Sequence, residues 1–191
     1  MEYFLKTARL GFRCWTDADL PLAQELWGDP EVNAFLVGTF TPEAIGARLE
    51  REIAQMKECG LQYWPVFLLD GDAHVGCAGL QPYRMQERIY EIGFHLRRDF
   101  WGRGLAQEAT RGLIEYAFTA LNAAALFAGH HPMNQESRRV LLKVGFAYAG
   151  EVLYPPSGVL EPAYLLDKAS APGMPRHCVT ERPHESNAMG A

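Results

Sequence analysis

The sequence predicts a mixed α/β fold in which helices flank one β-sheet. Two observations carry this prediction. Strand-like and helix-like segments alternate along most of the chain, and residues 89–129 have the pattern of a strand, a helix and a second strand. Such a crossover unit makes its two strands parallel and packs the helix on the sheet. A hairpin is predicted before this unit, and the first strand of the unit follows it as a third antiparallel strand, so we expect a mixed, mostly antiparallel sheet with one parallel pair.

The first elements have clear boundaries. Leu10 to Trp15 is predicted as a strand, and Thr16 with Asp19 three residues later is typical of the start of a helix that runs toward Trp27. A second helix begins at Thr41-Pro42 and ends before Gly60. Its apolar residues recur every three or four positions, which more often marks a core face than a binding site: Ile45, Leu49, Ile53 and Met56.

The remaining elements build the sheet. Residues 61–69 and 74–80 are predicted as strands joined through Asp70-Gly71-Asp72, a strong hairpin signal, and a third antiparallel strand follows at about 89–96. A long helix then carries an apolar stripe of Leu105, Ala109, Leu113, Tyr116 and Leu121. A short buried strand at 124–129 and a final pair near 148–154 and 163–166 complete the series.

The segment between the third strand and the long helix is the most informative one. It is the run Phe100-Trp101-Gly102-Arg103-Gly104-Leu105-Ala106, of which we call residues 101–106 the glycine turn. Glycines allow tight backbone with NH groups facing one way, and the positive helix end favours an anion there. A dinucleotide fingerprint would need a glycine at Gln107, and a P-loop would need a lysine before Ser or Thr, so neither fits. The alternative is an ordinary turn before a helix.

A second segment of the sequence is also informative. It spans His131 to Phe146, with Asn134 suited to a helix N-cap and Gly145 to a helix end. Together the two segments resemble the GNAT acyl-CoA-dependent N-acetyltransferases, and among them the RimJ/RimL branch that acetylates ribosomal-protein N-termini. Weaker matching pieces lie in the same order: Thr7-Ala8-Arg9-Leu10, Gly28-Asp29-Pro30-Glu31-Val32 and His74-Val75-Gly76-Cys77-Ala78-Gly79-Leu80-Gln81. The resemblance extends to about Lys168 and implies the GNAT fold, whose central parallel strands splay to admit a pantetheine arm.

The resemblance also implies acetyl-CoA as co-substrate and names the residues that would bind it. Backbone NH groups of the glycine turn would hold the diphosphate: Arg103, Gly104, Leu105 and Ala106. Phe94 and Leu96 would offer backbone hydrogen bonds to the pantetheine amides. Asn134 would contact the cofactor arm, cap its own helix, or do both.

Acyl transfer from a thioester to an amine needs a group that accepts a proton and a group that assists the departing thiolate. Glu91, on the strand before the glycine turn, is the leading base by resemblance, and a solvent-facing strand carboxylate is the alternative. Glu161, expected in the loop before the last strand, is the second candidate. Leu141 stands where many GNAT enzymes carry a tyrosine acid. Ser137 would hydrogen-bond the thiolate unless it is an ordinary helix serine, and Tyr148 is a weaker option.

The implied function is transfer of an acetyl group from acetyl-CoA to a primary amine by direct attack. The acceptor stays open between a protein N-terminus and small molecules such as polyamines, amino-acid-like metabolites or aminoglycoside-type drugs. Four aromatic residues would line an amine pocket or belong to the core: Trp27, Tyr63, Trp64 and Tyr83. The alternative function is a catalytically idle acyl-CoA-binding or interaction module, for which Leu141 is the best support.

Composition limits the class of protein. With 191 residues and 48% hydrophobic content, we expect one domain over 1–168, and a formal charge of -5 offers no basic surface for nucleic acid. No apolar run reaches the roughly 20 residues of a membrane helix, and no signal peptide is evident, so we expect a cytoplasmic protein without a membrane partner. Monomer and homodimer both remain open.

Metal binding is not expected. Cys14, Cys59, Cys77 and Cys178 have no paired spacing and are predicted to be free thiols. Neither His130-His131 nor the group His177, Cys178 and His184 has the spacing of a structural metal site. From residue 169 to 191 the chain is rich in Pro and Gly and contains no aromatic, Leu or Ile residue, which predicts a disordered tail.

Overall fold

The computed structural model describes residues 2–36, 38 and 40–171. Within this part of the chain, eight strands form one sheet: β1 (Leu5–Lys6), β2 (Leu10–Phe12), β3 (Tyr63–Leu68), β4 (His74–Arg84), β5 (Ile89–Leu96), β6 (Ala125–Gly129), β7 (Ala147–Tyr154) and β8 (Val159–Asp167). Five α-helices accompany them: α1 (Leu20–Trp27), α2 (Pro30–Asn33), α3 (Pro42–Cys59), α4 (Leu105–Thr119) and α5 (Gln135–Lys143).

The sheet has the order β1-β2-β3-β4-β5-β6-β8-β7. Its neighbours are antiparallel except for β5 and β6, which are parallel and joined through α4. The α/β class, the mostly antiparallel sheet and the parallel pair are therefore confirmed.

The parallel pair separates partway along its length. Ile89 faces Ala125, Tyr90 faces Leu126 and Glu91 faces Phe127, where the paired register ends. Strand β5 nevertheless continues to Leu96 and β6 to Gly129. The two strands thus form a V that opens from Glu91 toward the glycine turn, as the GNAT resemblance implies.

Helix ends follow the local signals in the sequence. The Thr41 side chain accepts a hydrogen bond from the Ala44 backbone NH at the start of α3, and Gly60 ends that helix in the left-handed region at φ 72°. Thr16 and Asp19 form the expected capping box, although the first turn, Asp17–Asp19, is a 3-10 helix that precedes α1.

Two apolar cores pack on the sheet. The larger core includes the buried face of α4, with Leu113 and Tyr116 fully enclosed, and the buried β5 residues Tyr90 and Ile92. The smaller core lies beneath α1 and α3 and contains a second group of buried residues: Trp15, Ala23, Leu26, Trp27, Val32, Ile45, Leu49 and Cys77. Successive β5 side chains point to opposite faces, so Glu91, Gly93 and His95 lie on the side opposite Tyr90 and Ile92.

Some predicted boundaries were wrong. The first predicted strand ends at Phe12 instead of Trp15, and neither the two-residue strand β1 nor α2 was predicted. The last strand begins at Val159, so Glu161 lies within β8 and not in the preceding loop. Its pairing with both β6 and β7 extends this strand. Residues 172–191, most of the predicted tail, lie outside the described part of the chain.

Across the described ranges, the helices are all too short or too polar to cross a membrane.

Candidate active site

The parted strands open into a cleft of about 500 Å³. The glycine turn and the first turn of α4 form one end, and α5 forms a wall beyond β6. Toward the vertex of the V, the cleft reaches Glu91, Tyr154 and Glu161. This volume is within the range of ligand sites for small molecules and cofactors.

The glycine turn presents backbone NH groups. Gly102 and Gly104 have φ of 73° and 74°, a region that favours glycine, and Gly104 directly precedes α4. No described side chain caps this helix start, so the NH groups of its first turn stay available. Gly104, Leu105 and Ala106 line the cleft, whereas Arg103 points its guanidinium toward the Phe100 ring at 5.3 Å. The geometry fits an anion such as a diphosphate.

The backbone of β5 is also suited to a ligand. The Arg97 NH bonds the Val75 carbonyl across the sheet at 2.9 Å, which makes that residue pair a hydrogen-bonded one. Hydrogen-bonded and non-hydrogen-bonded residue pairs alternate along an antiparallel ladder. Leu96 and Phe94 therefore belong to non-hydrogen-bonded pairs, and their NH and carbonyl groups point away from β4, into the V. The Leu96 carbonyl accepts the Trp101 indole NH at 2.7 Å, which ties the glycine turn to the end of β5.

Asn134 caps α5. Its side-chain oxygen accepts a hydrogen bond from the Ser137 backbone NH at 3.0 Å, and both residues line the cleft. The Ser137 hydroxyl bonds no other residue of the described chain and is free to contact a ligand. The structural role of Asn134 as a helix cap is therefore confirmed.

Two carboxylates lie at the vertex of the V. Glu91 is half-buried on β5 and Glu161 is half-buried on β8, and both line the cleft. Burial, and then the nearby charge of Glu161, raise the pKa of Glu91 above its ordinary value. Burial likewise raises the pKa of Glu161, while His131 acts in the opposite direction. A carboxylate with a raised pKa is a better proton acceptor near neutral pH.

Aromatic side chains surround these carboxylates. Tyr63 lies edge-on to His95, with 5.3 Å between ring centroids, and both line the cleft. Tyr154 borders the cleft from β7, and burial followed by the charge of Glu91 raises its pKa. Burial and Arg48 lower the pKa of His95 well below its usual value, so this ring is neutral at pH 7.

The predicted aromatic pocket was correct only in part. Tyr63 borders the cleft, but Trp27 and Trp64 are fully buried in the two cores. Tyr83 stacks on Phe127 with the centroids 4.3 Å apart. Sequence reasoning missed Tyr154. This residue shares a strand face with Val152, which lies opposite Glu161 in the β7–β8 pairing, and that register is set by the structure and not by a local sequence signal.

The three positions considered for the group that assists the departing thiolate differ in their access to the cleft. Leu141 is 4% exposed and belongs to the larger core, although one side of it reaches the cleft. Tyr148 is 59% exposed on β7 and is not among the described residues that line the cleft. Ser137 lies on the cleft wall one helical turn before Leu141.

Within the described residues, no group of three His, Cys, Asp or Glu side chains is arranged to hold a metal ion. Cys14, Cys59 and Cys77 are free thiols there. Cys178, His177 and His184 lie outside the described part of the chain.

Comparison with known families agrees with this geometry. A model of the acetyltransferase (GNAT) domain matches residues 9–147, which is most of the chain. The chain therefore belongs to the GNAT acetyltransferase family and is an acyl-CoA-dependent acetyltransferase. It is 29% identical over 150 residues to the uncharacterized N-acetyltransferase p20 of Bacillus licheniformis, covering 76% of this chain and 83% of that protein. For YnaD of Bacillus subtilis the identity is 29% over 147 residues, with 76% and 84% covered.

Solved structures share the fold. A GNAT-family acetyltransferase from Bacillus anthracis superposes with a TM-score of 0.72 at 25% identity, over 84% of this chain and 95% of that one. RimL, a ribosomal L7/L12 α-N-protein acetyltransferase solved in complex with coenzyme A, superposes with a TM-score of 0.74 over 87% and 98%. Its identity is only 14%, so this likeness concerns the fold.

Proposed function

We propose that this protein transfers an acetyl group from acetyl-CoA to the primary amine of an acceptor, by direct attack of the amine on the thioester. One observation carries the proposal: the cleft between the parted strands β5 and β6 connects an uncapped glycine turn at one end with the half-buried carboxylate of Glu91 at the other. The first end suits a diphosphate and the second suits an amine.

On this proposal, the donor is held mainly by backbone groups. The NH groups of residues 103–106 bind the diphosphate, and the outward-facing backbone of Phe94 and Leu96 bonds the amides of the pantetheine arm. The Leu96 carbonyl already accepts the Trp101 indole NH, so the Leu96 NH is the group that remains for the arm. Asn134 and Ser137 approach from α5, on the opposite wall.

The acceptor amine binds beside Glu91. An ammonium has no lone pair for attack, so its proton passes to the Glu91 carboxylate, directly or through water. The amine nitrogen then attacks the thioester carbonyl carbon, a C–N bond forms, and the C–S bond breaks with its electrons on sulfur. The nitrogen still carries one proton more than the amide needs, and this second proton passes to the departing thiolate or to water. The Ser137 hydroxyl donates a hydrogen bond to the departing thiolate. An α-amine, with a reference pKa near 8, needs less help from a base than lysine.

The identity of the amine stays open between a protein N-terminus and a small molecule. The resemblance to RimL favours a protein N-terminus, whereas the names of the p20 and YnaD relatives specify no acceptor. A cytoplasmic location, and a monomeric or homodimeric state, also remain predictions.

The first test is calorimetric titration with acetyl-CoA, comparing the natural protein with Ala106→Glu and Ala106→Gln. Residue 106 lies in the first turn of α4 and lines the cleft. A carboxylate there stabilises the helix by about 0.3–1 kcal/mol but repels the diphosphate. We expect binding to be lost with Glu, with no fall in melting temperature, and to be better retained with the uncharged Gln. Equal binding by all three proteins would refute the assigned donor site.

Position 104 is a poorer place for that charge. A Cβ built there lies 3.8 Å from an Arg9 guanidinium nitrogen, which would neutralise an introduced carboxylate.

The second test separates an enzyme from an idle acyl-CoA-binding module. Candidate amines are screened by thiol release, and turnover is then compared in Glu91→Gln and Ser137→Ala. General base catalysis contributes roughly 10²- to 10⁴-fold, so we expect Glu91→Gln to lower kcat by about that factor. The Ser137→Ala change should lower kcat by a smaller factor because it removes only one hydrogen bond. A protein that binds acetyl-CoA yet acetylates no amine would favour the idle module, and unchanged rates in both variants would reject these roles.

A further inference from the structure

A polar clasp lies on the side of the glycine turn away from the cleft. It consists of Thr7 and Arg9, in the turn between β1 and β2, and Glu108 on α4. Glu108 accepts hydrogen bonds from the Thr7 hydroxyl at 2.5 Å, the Arg9 backbone NH at 2.7 Å and the Arg9 Nε at 2.6 Å. Desolvation would raise the pKa of Glu108, but the bonds from Thr7 and Arg9 outweigh it and hold the pKa below its usual value.

The clasp also reaches the glycine turn itself. Arg9 Nη1 donates a hydrogen bond to the Arg103 carbonyl at 3.1 Å. Peptide bonds in the described residues are trans, so the Arg103 carbonyl and the Gly104 NH point in opposite directions. Because the carbonyl is held toward Arg9, the Gly104 NH is directed away from Arg9, and Gly104 itself lines the cleft.

Such an anchor matters because the turn is intrinsically free to rearrange. Gly102 and Gly104 both occupy the left-handed region, and a Cβ built at Gly102 meets nothing within 4 Å, so packing does little to fix the backbone at Gly102. The Trp101 indole bond to Leu96 holds the start of the turn but not the peptide between Arg103 and Gly104. Glycine loses more conformational freedom on ordering than any other residue. An anchor that orders the turn before the ligand arrives removes that cost from binding.

We propose that Arg9 is a positioning residue for the donor substrate: by holding the Arg103 carbonyl through a guanidinium fixed on Glu108, it orients the Gly104 NH toward the diphosphate. Arg9 is not among the described residues that line the cleft, so it acts through the backbone. This inference rests on the proposed function. It adds a residue that determines affinity for the diphosphate end of the donor.

The test compares two donors and two substitutions. Acetyl-CoA carries the diphosphate, whereas S-acetylpantetheine ends before it. Arg9→Ala removes the anchor, and Arg9→Lys keeps the charge but cannot bond Glu108 and the Arg103 carbonyl with the same fork of nitrogens. The control is Arg84→Ala, which removes another exposed arginine with a carboxylate partner, Glu87, on the loop after β4.

We expect both Arg9 variants to raise the KM and Kd for acetyl-CoA about tenfold, with kcat nearly unchanged, and to leave kcat/KM for S-acetylpantetheine as in the natural protein. The Arg84 variant should match the natural protein with both donors. Melting temperatures identify any loss of fold, and Glu108→Gln supplies a second variant that weakens the same clasp if Arg9→Ala does not fold.

Three results would overturn the inference. Full retention of affinity by Arg9→Lys would mean that Arg9 only attracts phosphate charge at a distance. Equal losses with both donors would indicate a general structural role, and unchanged affinity in every Arg9 and Glu108 variant would mean that the turn orders itself. If the natural protein binds no acetyl-CoA, the proposed function fails first and the inference fails with it.

Discussion

His74 couples the stability of the fold to pH. Its side chain is 4% exposed, between the rings of Trp15 and Phe67 at centroid distances of 5.8 and 5.3 Å. Both ring nitrogens are buried. Burial, and then the positive charge of Arg97, lower the pKa of His74 from 6.5 to about 4.

The sign of the effect follows from proton binding. Between about pH 6.5 and pH 4 the unfolded chain binds a proton at His74 that the folded chain does not, so stability falls as the pH falls through this window. The full difference corresponds to about 3 kcal/mol, of which about 2 kcal/mol is already lost at pH 5. The contribution is fully present above the unfolded-state pKa.

Urea unfolding at pH 7 and pH 5 measures this contribution in the natural protein and in His74→Leu, which has a similar volume and no titrating group. The loss of unfolding free energy between the two pH values should be about 2 kcal/mol smaller in the variant. Other titrating groups, His95 included, are present in both proteins and cancel in the comparison. An equal loss in the two proteins would show that His74 titrates in the folded state as it does in a peptide, and the reasoning from burial would be wrong.

Three further predictions concern the site. Trp101→Phe removes the hydrogen bond to the Leu96 carbonyl, so the KM for acetyl-CoA should rise several-fold in steady-state assays while the melting temperature changes little. Glu161→Gln removes the charge that helps to raise the pKa of Glu91, so the acidic limb of the kcat/KM profile should move to lower pH; a limb that stays in place would show the two carboxylates to be uncoupled. Leu141→Tyr overpacks the core and should lower the unfolding free energy by about 1–3 kcal/mol in urea, and a fully stable variant would contradict the packing described for this position.

The parts of the fold that depend on local chemistry were predictable from sequence. The Gly60 helix end, the Thr16 capping box and the Asn134 cap each depend on a few adjacent residues, and all three are present. The crossover unit was equally predictable from the sequence, because the handedness and direction of a strand–helix–strand connection are nearly fixed. These features place the glycine turn at the end of β5 without any knowledge of the rest of the sheet.

The parts that depend on distant pairing were not predictable in the same way. Strand β1 has only two residues and exists because it pairs with β2, so it carries no periodic signal of its own. Glu161 was expected in a loop because the last strand was predicted to begin only near Ala163, yet the pairing of β8 with β6 and β7 makes it a strand residue. The position of Tyr154 beside the carboxylates likewise depends on the register of the β7–β8 hairpin.

The arrangement of the two carboxylates bears on the proposed function, in which one site both attracts a cation and deprotonates it. Seventy positions separate Glu91 from Glu161, and the meeting of β5, β6 and β8 brings both to the vertex of the V. Burial is the larger cause of the raised pKa of Glu91, and the charge of Glu161 adds to it. The repulsion between the two carboxylates is relieved when a cation binds beside them, so this second contribution also favours binding of an ammonium. Transfer of the ammonium proton to Glu91 would neutralise both groups and leave the net charge of the site unchanged, and the neutral amine would then be free to move toward the thioester. His95 is neutral and Tyr154 is protonated, so neither adds a positive charge beside the pair. His131 lowers the pKa of Glu161 and so offsets part of the negative charge, and an incoming ammonium would supply the rest of the counter-charge.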